Sequence, residues 1–349
     1  MPPHDARLAL IHDWVSAGLG LQPQRIEPAS SDASFRRYFR VFAGGAGART
    51  FIVMDAPPGK EDVRPYLKVS GLLESTGVHV PHVHEADIER GLLLLEDLGS
   101  TQYLARLDAG DDPEPLYGDA LGALADIQLK GREAAAELPP YDREALLREM
   151  QLMPEWFSSR HLGLRLSAEE QSIVAAAFDF LVTEALAQPV VFVHRDYHSR
   201  NLMITRERNP GIIDFQDALA GPIGYDLVSL LKDCYICWPR ERVERWLQSY
   251  RDSLIARGGP GGKSAQEFLR WFDLVGVQRH IKVLGIFARL WYRDSKPGYL
   301  RDLPLTLDYV RDTCRRYPEL SDLSRVVEAH FVPGLPKANA LVAAQAGLA

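Results

Sequence analysis

The stretch Val190-Val191-Phe192-Val193-His194-Arg195-Asp196-Tyr197-His198-Ser199-Arg200-Asn201-Leu202-Met203-Ile204 is followed, after a polar turn, by Gly211-Ile212-Ile213-Asp214-Phe215. Leu202 to Ile204 and Gly211 to Ile213 are short apolar runs separated by Thr205 to Pro210, a pattern that predicts an antiparallel hairpin. Its midpoint falls between Glu207 and Arg208, so the ladder sets Asn201 opposite Asp214 with Cα atoms about 4.5–5.5 Å apart. Two oxygen ligands then meet at one end of the hairpin, a pairing that suits Mg²⁺. Asp196 enters the same hairpin from the preceding loop, where its carboxylate can orient a hydroxyl and accept its proton.

Working outward, Phe35 to Phe42 and Thr50 to Met54 read as two strands joined at Gly44-Gly45-Ala46-Gly47. A helix from Glu61 to Thr76 is closed by Gly77, and two more strands are expected near Val80 to Val83 and Gly91 to Leu95. Before them, Asp5 to Gly18 has helical spacing. Beyond Gly99 the period is almost wholly helical: Tyr117 to Leu129, Asp142 to Met150, Ala168 to Leu186, Tyr225 to Cys234, Arg240 to Ala256 and Phe268 to Tyr292. The tail after Pro333 is rich in Ala and Gly and is expected to fray. This predicts an α+β chain, with a small β-rich part over residues 1–97 and a larger, mainly helical part over 98–349.

Composition excludes several classes. The 349 residues carry 40 Lys+Arg against 47 Asp+Glu, a formal charge of -7, and are 46% hydrophobic and 25% charged. A disordered or coiled-coil chain is ruled out. No basic block suits nucleic acid, and no apolar run approaches the roughly 20 residues that span a bilayer, so neither partner is expected. The opening Met1 to Trp14 has no signal-peptide core, and three cysteines are too few for a disulfide framework, so the chain reads as cytoplasmic. Cys234 and Cys237 read as two positions on one buried helix face rather than a zinc or redox pair.

His194, Asp196 and Asn201 stand at the spacing of a kinase catalytic loop, and Ile213-Asp214-Phe215, Gly221-Pro222 and Tyr225-Asp226-Leu227 follow. On these residues the chain resembles the aminoglycoside phosphotransferase and choline kinase superfamily. The resemblance implies a protein-kinase-like, two-lobed fold with ATP and Mg²⁺ as cofactors. It implies Asp196 as catalytic base, Asn201 and Asp214 as metal ligands, and His194 and Asp226 as supports of the catalytic loop. Leu93 to Leu98 looks like the family's hinge, which brings Glu96 and Leu98 to the nucleotide.

Two departures stand out. The strand that normally carries a phosphate-pairing Lys reads Phe51-Ile52-Val53-Met54-Asp55, and Ser30-Ser31-Asp32-Ala33-Ser34 replaces the glycine-rich loop. Ser31 and Ser34 are small enough to approach a phosphate. Among the cations, alternation sends Arg36 and Arg40 to one strand face and Arg37 to the other. Arg37 or Arg40 is expected to meet the phosphates, with Lys60 a further candidate.

For the acceptor, Gln278, Lys282, Gly285, Arg289 and Arg293 form one stripe at helical spacing. The region is basic, which suits a neutral or anionic acceptor rather than a polycationic antibiotic. The segment Val277 to Leu290, with Lys296 to Leu300, Met54 to Pro58 and Asp214 to Ala218, is similar to bacterial anomeric N-acetylmuramate/N-acetylglucosamine kinases of cell-wall recycling. That resemblance implies a small-molecule sugar substrate phosphorylated at its C1 hydroxyl. His198, Arg200, Gln216, Lys282 and Arg289 are the expected acceptor residues, Lys282 or Arg289 meeting the lactyl carboxylate of N-acetylmuramate. A phosphotransferase for another small alcohol, and a nucleotide-binding regulatory pseudokinase, remain the alternatives.

Overall fold

The computed structural model describes residues 5–31, 35–44 and 49–345. The chain divides into two compact units, one of residues 1–130 with 200–218 and the other of 131–199 with 219–349. The division read from the sequence, after Asp97, follows composition, whereas the units follow contacts. The hairpin bearing Asn201 and Asp214 therefore belongs with the N-terminal sheet, and the segment bearing Asp196 belongs with the helices.

In the first unit, α1 (Ala6–Asp13) is capped by Asp5, whose carboxylate accepts from the Arg7 and Leu8 amides. Five strands follow, β1 (Pro23–Ser31), β2 (Arg37–Ala43), β3 (Arg49–Asp55), β4 (Val83–Asp87) and β5 (Leu92–Glu96), in the antiparallel order β1-β2-β3-β5-β4. Between β3 and β4 lies α2 (Arg64–Glu74). The sequence reading has no strand at β1, a segment that contains Pro23 and Pro28. The structure accommodates both prolines on an edge strand whose register shifts beside each of them. One sheet face is apolar: Phe39, Val41, Val53, Leu92 and Leu94 pack with Ile11, Trp14 and Val15 in a single core cluster.

The hairpin Leu202–Met203/Gly211–Ile212 is tied to this unit at its edges. The Ile212 amide donates to the His79 carbonyl at 2.7 Å, and the Ile204 amide to that of Thr101 at 2.8 Å.

The second unit is built on one helix, Ala265–Asp294, 30 residues long and capped by Ser264. Its middle is buried all round, including Asp273, Gln278, Arg279, His280 and Lys282, as expected of a central helix rather than a surface one. At Gly285 the neighbouring chain comes so close that a Cβ would fall 2.3 Å from the Leu152 carbonyl carbon. Ala168–Leu186 carries a capping box between Ser167 and Glu170, as its sequence pattern implies.

Two expectations fail in this unit. The helix expected over Tyr225 to Cys234 stops at Leu231, so Cys234 is buried and Cys237 exposed in the segment beyond it, not on one helix face. Residues 334–345 do not fray but lie in the helix Val332–Gln345, anchored by Leu335, Ala338 and Val342, and the last four residues of the expected frayed tail lie outside the described residues. No helix among the described residues is long and apolar enough to cross a membrane.

Candidate active site

In the second unit, the strand Val190–Val193 pairs with Leu219–Pro222 and delivers the chain to His194. Two buried carboxylates then fix the loop. Asp226 accepts from the His194 amide at 2.7 Å and the Arg195 amide at 3.0 Å. Burial pushes the Asp226 carboxyl up to about 7, against the pull of those two amides. Asp233 accepts from the Ser199 amide at 3.0 Å and from the Ser199 hydroxyl. His194 is fully buried, and its Nδ1 lies 3.3 Å from the Asp196 amide. Arg195 takes a positive φ of 78°, a costly conformation for a residue with a Cβ, immediately before Asp196.

Asp196 is thus fixed by its backbone, and its charge is set by its neighbours. Burial raises its carboxyl pKa, but the positive charges of Lys282, His198, Arg195 and Arg279 outweigh that and hold it below the usual carboxylate range. At neutral pH the group is a carboxylate, ready to accept a proton or a hydrogen bond.

The cations around it are themselves anchored. Lys282 is 6% exposed; its Nζ lies 3.1 Å from Glu149 and donates to the Tyr225 hydroxyl at 3.0 Å. Glu149 also pairs with Arg195 and accepts from the Tyr141 hydroxyl. Arg279 donates to the Ser229 hydroxyl at 2.8 Å.

This corrects the expected stripe. Gln278 and Lys282 lie inside the unit, because the helix that carries them is central. Lys282 already has a carboxylate partner in Glu149, so nothing in its surroundings calls for one from a substrate. Arg289 is half-buried, with a buried Nε that has no partner among the described residues. Arg293 pairs with its neighbour Asp294. His198 packs edge-on against Tyr235, ring centres 5.3 Å apart.

In the first unit, the hairpin register differs by one residue from that expected. Leu202 pairs with Ile212 and Met203 with Gly211, and the Ile213 amide donates to the Asn201 carbonyl at 3.1 Å. Asp214 lies one position beyond the residue facing Asn201, but a positive φ of 65° takes it out of the ladder. Asn201 Nδ2 reaches Asp214 Oδ2 at 3.3 Å, and Gln216 Nε2 donates to Asp214 Oδ1 at 2.9 Å. Gln216 is 8% exposed, and its Oε1 is buried with no partner among the described residues. Arg200 lies in the turn entering the hairpin.

A carboxylate, an amide carrying an oxygen end, and a buried acceptor awaiting a donor form a donor set that suits a hard, hydrated cation such as Mg²⁺. Asp214 and Asn201 would hold it.

The strand cations differ from expectation. Arg37 lies 2.6 Å from Asp55, which is fully buried and also paired with Arg7, and it pairs with the Asp5 cap as well. Arg40 forks onto Asp97 at 2.7 and 3.0 Å and donates to the Gly99 carbonyl at 2.8 Å. Both are committed to carboxylates that brace the sheet and the segment after β5, so the expectation that Arg37 or Arg40 serves the phosphates gives way. Lys60 sits 4.6 Å over the Phe35 ring. Arg36, passed over in the sequence reading, lies 3.8 Å from Asp214.

Glu96 in β5 pairs with His79 at 3.1 Å and accepts from the His82 amide, and Leu98 is buried. The Ser31 side chain and Ser34 lie outside the described residues. The sequence reading also lacked Asp233, whose one signal is its place seven residues after Asp226, and Glu149, for which the sequence has none.

Known proteins are similar to this chain in sequence and in fold. A Pseudomonas aeruginosa protein named N-acetylmuramate/N-acetylglucosamine kinase is 47% identical over 93% of this chain and 96% of its own length. Its namesake from Pseudomonas putida is 44% identical over 94% and 97%. The structure of a choline kinase from Streptococcus pneumoniae superposes with a TM-score of 0.61 at 13% identity, covering 87% of this chain and 99% of that one, which establishes the protein-kinase-like fold. The sequence profile of the phosphotransferase enzyme family matches residues 25–268, a span that takes in the sheet, Asp196, Asn201, Asp214 and Asp226. The chain belongs to the phosphotransferase enzyme family.

Proposed function

We propose that this chain transfers the γ-phosphate of ATP, with Mg²⁺, to the anomeric C1 hydroxyl of N-acetylmuramate, N-acetylglucosamine or both. The observation that carries the reading is the near-full-length similarity to proteins named for those two sugars, in a chain that has Asp196, Asn201 and Asp214 at catalytic-loop spacing. Because the reaction consumes ATP, we place it in the cytoplasm.

Asp196 orients the sugar hydroxyl and accepts its proton as the oxygen bonds to the γ-phosphorus and the bond to the bridging oxygen of ADP breaks. Asn201 and Asp214 would hold the metal, which would supply neutralisation of the charge on the phosphoryl oxygens. Gln216 keeps the Asp214 carboxylate in place through Oδ1. Asp226 and Asp233 hold the loop backbone on either side of Asp196, so that its carboxylate need not reorganise as the proton moves.

The test is incubation with Mg²⁺/ATP and a panel of N-acetylmuramate, N-acetylglucosamine, choline and kanamycin, followed by phosphorus NMR. A sugar 1-phosphate is the expected product. Phosphorylation of kanamycin or choline but of neither sugar would overturn the acceptor assignment. Nucleotide binding without transfer to any of the four would favour a regulatory pseudokinase.

A further inference from the structure

Arg36 just before β2 and Arg37 and Arg40 within it are sorted by the sheet. Arg37 shares its face with Phe39 and Val41, which pack on α1, and it is spent on Asp5 and Asp55. Arg40 lies on the opposite face but four residues further along, locked onto Asp97. Arg36 precedes the strand with the parity of Tyr38 and Arg40, and its guanidinium stands 3.8 Å from Asp214 with the side chain 11% exposed.

The surroundings on that side are consistent. The Tyr66 ring packs on Phe215 with centres 4.8 Å apart. Burial dominates the raised pKa of the Tyr66 phenol, which also feels Tyr38 and Asp214 raising it and Arg36 lowering it. Tyr38, Tyr66, Phe215, Arg36 and Asp214 thus form one neighbourhood of the first unit.

We propose that Arg36 is the cation that meets the nucleotide phosphates beside Asp214, the role for which β3 supplies Met54-Asp55 and no lysine. The inference rests on the ATP and Mg²⁺ reading above and assigns a residue within it. The charges support it. A divalent cation on Asp214 leaves much of a triphosphate's negative charge unbalanced. It also satisfies the carboxylate that Arg36 now faces, so the guanidinium is repelled by the metal and drawn to the phosphate oxygens. A planar guanidinium donates two parallel hydrogen bonds to phosphate, which suits this role.

The experiment measures binding of a non-hydrolysable ATP analogue by calorimetry, with and without Mg²⁺, for the wild type, Arg36→Gln and Arg36→Lys, each checked by thermal unfolding. Arg36→Gln is expected to weaken the analogue about 10–100-fold in Mg²⁺, the weight of a charge-assisted hydrogen bond, with Arg36→Lys recovering part of the loss. If Arg36 served only as a counter-ion to Asp214, Arg36→Gln would leave analogue affinity unchanged and lower the Mg²⁺ concentration required, and the assignment would be overturned. Should Arg36→Gln unfold, equal analogue affinity in Arg36→Lys and the wild type would count against a forked phosphate contact, and a several-fold loss would support it. Absence of analogue binding by the wild type would overturn the ATP reading itself, and this assignment with it.

Discussion

Between His194 and Ser199 the backbone hangs from two buried carboxylates, Asp226 and Asp233, which accept its amides directly. Between Asn201 and Asp214 it is held by a ladder of two residue pairs and by carbonyls at the edges, His79 and Thr101, while amide side chains steady the functional carboxylate. The loop that carries Asp196 is therefore held by two buried carboxyl groups, and the hairpin that carries Asn201 and Asp214 by backbone carbonyls and side-chain amides. A base must hold one position through proton transfer. A metal pair must exchange its neighbours when cation and nucleotide arrive, which weaker, neutral contacts allow.

The contrast can be broken most forcefully at Asp226. Replacing it with Ala leaves the His194 and Arg195 amides buried without an acceptor, at about 1–3 kcal/mol each. Denaturant unfolding should show a loss of several kcal/mol, and a loss below about 1 kcal/mol would mean that water or another group holds the loop. The same type of change at Gln216 removes a neutral contact and should cost far less.

Asp196→Asn is expected to keep the fold and, on the proposed mechanism, to remove the base. Nucleotide binding should persist while turnover falls at least about a hundredfold, or about 2.7 kcal/mol in the barrier. Near-normal turnover would place the base elsewhere.

The smallest effect is on pH dependence. Positive neighbours favour ionised Asp196, so kcat/KM should decline only as pH falls through a value below the usual carboxylate range. Lys282→Met removes one of those charges, which raises the Asp196 pKa and moves the acid limb to higher pH by up to about one unit. Arg195 still neutralises Glu149 in that variant, so the fold should survive. An unmoved limb would show that Lys282 supports structure alone.

Much of this was legible in the residues. The helical period of Ala168–Leu186 and Arg240–Ala256, the alternation of β2 and β3, and the order His194, Asp196, Asn201, Asp214 are local patterns, and local patterns survive without knowledge of the fold. β1 was not legible, because its prolines are tolerated only on an edge, and a sequence does not say which strand is at the edge.

What the sequence by itself determined is the class of fold and the spacing of Asp196, Asn201 and Asp214. Tertiary structure alone decided which charges those groups meet. Alternation separates Arg36 from Arg37 but does not say which face lies against α1 and which carries Asp214. Helical spacing aligns Gln278 with Lys282 but does not say that their helix runs through the centre of its unit, where Lys282 finds Glu149. The physical reason is one of range: hydrogen-bonded period is set by near neighbours along the chain, whereas the partner of a buried charge is brought in from a distant segment by packing.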